Sequence, residues 1–256
     1  MAVLDNNSIV EAVENIVSKN KALDNAFFRK CENEPISKEK LKEFVINFYP
    51  ITEAFALNSF AYCNTISEEI HKRSEIENGV IENKNLETFL SKIIEVTMVE
   101  FNINNDKKPS NFHFNAFSRL APKLGINIDE LKSKKYQLNQ ETKELVENLK
   151  RNFQKKNLLS GLANVFVIEY TALNIINCLW NAFAKLKDEN GNDLYTSYEL
   201  EHITLHQVLE IEHNEEAHDL LNLLVPSQTT KTELTQYADE LSINLGNYWT
   251  KLLEIQ

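Results

Sequence analysis

The sequence predicts an all-helical protein, and three observations carry that prediction. Only five glycines and five prolines punctuate 256 residues, so long stretches run without a breaker. Apolar residues make up 43% of the chain, enough for a sizeable core. No segment alternates apolar and polar residues between hairpin signals. The length suits one large helical domain, and no linker divides it, so residues 1–256 are expected to form a single domain.

About eight helices follow in order. The first is expected from near Asn7 to Cys31. A second opens at Ser37, with Glu39 as its first-turn acid, and reaches about Asn64, with a kink expected at Pro50. The charged stretch from Ser67 to Asn85 contains Gly79 and reads as a loop in its middle. Lys84 or Asn85 starts a third helix ending near Phe101. After a polar connection, Ser110 caps a fourth that stops at Gly125. Asp129 to Lys135 is a short helical turn, and Asn139 to Lys156 is amphipathic. Leu158 to Leu186 is strongly apolar. A loop at Asp188–Asp193 precedes a long helix from Thr196 to Leu224, which Pro226 stops. Thr230 to Ile255 is the last.

Charge and cysteine usage remove several classes of function. The net charge of −11 argues against a nucleic-acid or anionic-membrane partner, since both select a basic surface. Cys31, Cys63 and Cys178 form no close pair, so no disulfide framework is expected. The first twenty residues lack a basic region followed by an apolar run, which makes a cytoplasmic location the expectation. Leu158–Ala184 could pass for a membrane span, but it carries Glu169 and four asparagines and reads better as a buried core helix. No phosphate-binding glycine loop, zinc-protease motif or nucleophile elbow is present.

Helix periodicity singles out polar residues on apolar faces. Glu169 lies among Leu162, Val165, Phe166, Ala172, Leu173 and Ile176. An ionised carboxylate there must be paired, protonated or bound to metal. Glu100 follows the stripe of Phe89, Ile93, Val96 and Thr97, and His113 shares a face with Ala116, Phe117 and Leu120. The sharpest signal is His206, Glu210 and His213, which fall within roughly 60° of one another on a helix. Such nitrogen and oxygen donors suit iron, manganese or zinc. His202, one turn earlier, reads as a ligand, a group behind the ligands, or a solvent-edge residue, whereas His218 and His71 read as surface residues. The E-x-x-H copies at Glu199, Glu210 and Glu215 share one helix, and the fourth, Glu68–His71, lies in a charged stretch, so the ferritin-type pattern does not apply.

The order of these residues resembles the haem-oxygenase-like diiron oxidases, including the CADD-like proteins. VTMVEFNINNDKKPSNFHFNAFSRLAPKLGI is similar to that family's Glu-then-His region. LANVFVIEYTA is similar to its third-ligand helix, and LHQVLEIEHNEEAHDLL to its final motif. The likeness spans about residues 40 to 225. The stretch between Glu100 and His113 is longer than usual, and Glu210 stands where many members carry Asp. The resemblance implies a haem-oxygenase-like bundle of seven to eight helices, often dimeric, and a homodimer is expected. It implies two Fe(II) per chain, held by Glu100, His113, Glu169, His206, Glu210 and His213. It implies an O2-dependent oxidation of a small amine, amino acid or fatty acid, by N-oxygenation, oxidative decarboxylation or C–C cleavage. Tyr49 and Tyr62 lie on the helix that lines the family's cavity and are candidates to touch substrate. Two rival readings are a TenA-like hydrolase or cofactor-free enzyme of the same fold, with the acids and histidines as general acid–base groups and Cys63 or Cys178 as candidate nucleophile, and a non-enzymatic interaction protein with a structural metal site.

Overall fold

The computed structural model describes residues 6–71, 80–100, 119–155 and 157–254. Among the described residues there are nine α-helices and no strand. They are α1 (Asn6–Lys19), α2 (Ala26–Asn33), α3 (Lys38–His71), α4 (Leu86–Glu100) and α5 (Ile128–Lys132). α6 (Gln140–Gln154), α7 (Leu158–Ala184), α8 (Glu201–Asn222) and α9 (Gln228–Glu254) complete the set. Single bridges join Ile81 to Leu224 and Lys187 to Asp193.

Asparagine caps set most of the helix starts. Asn25, Asn127, Asn139 and Asn157 each accept a backbone N–H from the first turn that follows. The single helix expected from Asn7 to Cys31 is two helices. Lys21 adopts φ 61°, and Asn25 restarts the chain as the cap of α2. The reason lies in α9. The carbonyl of Asn20 rests against Gly246, where a Cβ would have no room, so the chain must turn there to pack on α9. Asn20 also donates to Asp239 at 2.8 Å. α3 runs through Pro50 and reaches His71, beyond the end expected near Asn64.

α7 lies at the centre, packed on α2, α3, α6, α8 and α9. Among the described residues it alone is long and apolar enough to cross a membrane, and 67% of its most apolar window is buried inside the bundle. Three of its four asparagines explain that placement, since each is tied to a neighbouring element. Asn164 donates to Leu149 O at 2.9 Å, Asn174 to Leu23 O at 3.0 Å, and Asn177 accepts from Gln207 at 3.0 Å. Lipid would offer none of these partners.

Tyr62 has a structural role. Its hydroxyl donates to Leu158 O at 2.6 Å and its ring lies flat on Gly161, filling the place a Cβ would take. Burial raises its pKa well above the usual tyrosine range. Tyr62→Phe is expected to destabilise the fold by about 1 kcal/mol, the worth of one buried hydrogen bond, and to leave metal content unchanged. Urea denaturation and metal analysis check both halves; lost metal with unchanged stability would contradict this role.

Candidate metal centre

α8 is inside out. Leu205, Val208 and Ile211 are 47%, 66% and 55% exposed, while His206, Glu210 and His213 are 3%, 4% and 6% exposed. A helix placed only by the hydrophobic effect would show the opposite faces. Its entry is fixed by Thr196 and Glu199: Thr196 N donates to Glu199 Oε2 at 2.8 Å, and Glu199 N donates to Thr196 Oγ1 at 3.3 Å. The residues from Thr196 to Leu200 form this turn, so α8 begins five residues later than the sequence suggests.

The buried polar face closes on itself and on α7. His206 Nδ1 lies 2.5 Å from Glu210 Oε1. His213 Nδ1 lies 3.3 Å from Glu210 Oε2 and 3.5 Å from Glu169 Oε2. Burial by itself would raise the Glu210 carboxyl; hydrogen bonds from the two imidazoles outweigh that and hold it at about 2. Glu210 is therefore an anion in the core. Glu169, 3% exposed, brings a second carboxyl from α7 to the same histidine.

This donor set fits a divalent cation. One ligand atom from each of His206, Glu210 and His213 lies within 4.8 Å of the others. Bonds of about 2.0–2.2 Å place the ligands of one ion roughly 4 Å apart at most, so a small adjustment suffices. A metal would take the lone pair of an imidazole nitrogen with the ring proton on the other nitrogen, and its charge would neutralise the buried acids.

The remaining sequence-derived candidates fall as follows. Glu100 is the last residue of α4, but its side chain, all of His113, and the side chain of His202 lie outside the described residues. Tyr49 is buried on α3, with a pKa pushed up to about 12 by burial and by Glu53. Neither Tyr49 nor Tyr62 lines the cavity beside the centre. That cavity, about 630 Å³ counting its mouth, opens onto His206 and Glu210 and is walled by Phe48, Ile51 and Phe55 of α3 and Ala172 and Ile175 of α7. Thr52 supplies a neutral polar group to the wall. Sequence reasoning passed over Thr52 and the two Phe residues because their polar or apolar character alone does not separate cavity from core. His218 is not a free surface residue: it bonds Glu14 of α1 at 2.9 Å and packs edge-on against Phe166 and Tyr170.

No protein-family model matches the sequence. No curated protein matches it either. Solved structures do. A TenA homologue from Pseudomonas syringae pv. tomato aligns over 100% of this chain and 98% of its own, at TM-score 0.69 and 13% identity. A CADD-like protein of unknown function from Nostoc punctiforme aligns over 96% of both chains, at TM-score 0.68 and 10% identity. A protein from Shewanella denitrificans described as having a heme oxygenase-like fold covers 99% of this chain and 94% of its own, at TM-score 0.65 and 12% identity. The chain has the haem-oxygenase-like fold. Within that fold the inverted helix α8 faces the central helix α7, and the buried acids and imidazoles sit between them.

Proposed function

We propose that this protein is a nonhaem diiron oxidase that uses O2 to oxidise a small molecule with an apolar body. The observation that carries this reading is the buried His206–Glu210–His213 stripe, joined by Glu169 and opening on an apolar cavity. Two Fe(II) per chain would need more donors than these four, and Glu100 and His113 are the proposed additions. The helix register supports Glu100. α4 runs antiparallel to α8, with Ile81 paired to Leu224 and Lys92 Nζ 3.0 Å from Asp219. Eight residues beyond Lys92, about 12 Å along the axis, Glu100 comes level with residue 211. His113 lies outside the described residues, and the resemblance in sequence alone puts it forward.

Bound iron would supply the reduction of O2 and the oxidising power for the substrate. The chain supplies the rest. His206, Glu210 and His213 would hold the cation, the imidazoles through an unprotonated ring nitrogen and Glu210 as a carboxylate. The Phe48, Ile51 and Ile175 wall takes an apolar body and excludes water from it. Among the described residues that line the cavity there is no lysine or arginine to demand an anionic head group.

The TenA homologues favour a hydrolase of the same fold as the second reading. A hydrolase using a thiol nucleophile needs a cysteine at the cavity. Cys63 and Cys178 do not line it, and burial raises both thiols, Cys178 strongly, with Cys31 beside it adding to the rise. Anaerobic loading with Fe(II), removal of free metal and metal analysis test the proposal. About two irons per chain are expected in the unaltered protein and fewer in Glu169→Ala, with O2 uptake following the iron. Iron no higher than in the Glu169→Ala protein would sink it.

A further inference from the structure

The cavity beside the metal centre owes its opening to the way α3 pairs with α7. The two helices run antiparallel. Tyr62 of α3 lies on Gly161 of α7 and bonds Leu158 O, and Phe44, about five turns earlier on α3, meets Phe183 with ring centroids 6.3 Å apart. Between these two contacts the register brings Phe55 about level with Ile168, Thr52 with Ala172, and Phe48 with Ile176, each rung roughly one turn from the next. All six residues line the cavity. The outer rungs are bulky on both helices, and the middle rung is small on both. A core is packed to the density of an organic crystal, so a Thr–Ala rung between two Phe–Ile rungs leaves space. His206 and Glu210 of α8 border that space. Ala172 also lies three residues after Glu169, on the same face of α7, so the small rung stands beside the buried acids.

The bulky rungs do not yield easily. Phe48 is stacked on Phe44 at 4.9 Å and leans on Trp249 of α9 at 5.9 Å. Phe55 packs on Phe153 of α6 at 5.7 Å, and both phenylalanines of the outer rungs are buried. Fixed ends and a small middle make a size filter, because a packed wall gives way only at a cost. We propose that Thr52 and Ala172 set the size of the molecule this site accepts, and that the molecule is compact: a single ring, or a chain of similar bulk, and not a fused ring system. Ile168 and Ile176 are eight residues apart, about 12 Å along α7, and the side chains of the outer rungs occupy part of that length. The gap left between them suits one ring. Calling that molecule the substrate rests on the proposed oxidase; the size limit itself does not.

Calorimetric titration of the full chain, freed of metal by chelation, with benzyl alcohol and separately with naphthylmethanol tests this. Saturable binding of benzyl alcohol is expected. Naphthylmethanol should bind at least about tenfold more weakly, although a larger apolar body binds more tightly wherever space allows. Ala172→Val, Ala172→Leu and Ala172→Phe narrow the middle rung in steps. Benzyl alcohol should weaken in that order, by at least about tenfold at Ala172→Leu. Thr52→Ile closes the same rung from α3 and should act as Ala172→Leu does. Circular dichroism reports folding, and the smaller steps keep the series readable if Ala172→Phe does not fold. A parent that binds neither alcohol, or binds naphthylmethanol as tightly as benzyl alcohol, would overturn the inference. So would a folded Ala172→Leu or Thr52→Ile protein that binds benzyl alcohol like the parent. Because these titrations use metal-free protein, they stand apart from iron loading. A chain that loads iron without showing the filter loses only the size limit, and one that shows the filter without loading iron loses the oxidase.

Discussion

His206→Ala and His213→Ala are each expected to abolish O2 consumption and to lower iron content, while His218→Ala leaves both near the parent level. The two sensitive residues flank Glu210, at 2.5 Å and 3.3 Å, and are almost fully buried. Removing either takes away a donor and leaves the Glu210 anion with one partner fewer, so loss of metal and loss of turnover should coincide. His218 is on the same helix, five residues after His213, and is therefore rotated by about 140° from it. Its partner is Glu14 on α1, and that pair is part-exposed, so His218→Ala costs little stability. His202→Ala discriminates its own readings: a group that orients a ligand gives about a 10–100-fold loss, and a solvent-edge residue gives none. An oxygen electrode and metal analysis on the four variants decide the matter. A dead His218→Ala beside an active His213→Ala would show that the buried stripe is not the reaction centre.

What the sequence made legible follows from how local each signal is. The stripe of His206, Glu210 and His213 is a property of one helix, so periodicity alone brings it together. Glu169 was readable as an anomaly, one acid among apolar neighbours, but that it meets His213 depends on how α7 packs on α8. The inversion of α8 was hidden for the same reason, since Leu205, Val208 and Ile211 look like core residues in any one-helix reading. The break between α1 and α2 was missed because its cause lies at the other end of the chain, where Gly246 admits the carbonyl of Asn20. Tyr49 and Tyr62 were singled out by their helix, and α3 turns other residues, Phe48, Ile51 and Phe55, to the cavity.

Loading with Fe(II) under anaerobic conditions is expected to raise the melting temperature, and Glu169→Gln to remove that rise. Metal binds the assembled donors and not the unfolded chain. At a hundred times the dissociation constant, the gain is about 2.7 kcal/mol, or a rise of roughly 5–10 °C for a chain of this size. The sign for Glu169→Gln without metal is the informative part. In the metal-free protein Glu169 and Glu210 put two carboxyls around one imidazole, at 3.5 Å and 3.3 Å from His213 Nδ1. Replacing one acid with a neutral amide of the same shape relieves that crowding, so the metal-free variant is expected to melt no lower than the parent. A site kept for its chemistry shows this pattern of lower stability empty and higher stability filled, whereas a buried acid kept only for packing shows the reverse on substitution. Acidification should shrink the metal-induced rise, because the imidazoles must shed protons to coordinate. Calorimetric scans of parent and variant, with and without Fe(II), test all of this. Superimposable curves for the empty and loaded parent, or a metal-induced rise that survives Glu169→Gln undiminished, would remove Glu169 and its neighbours from any metal centre.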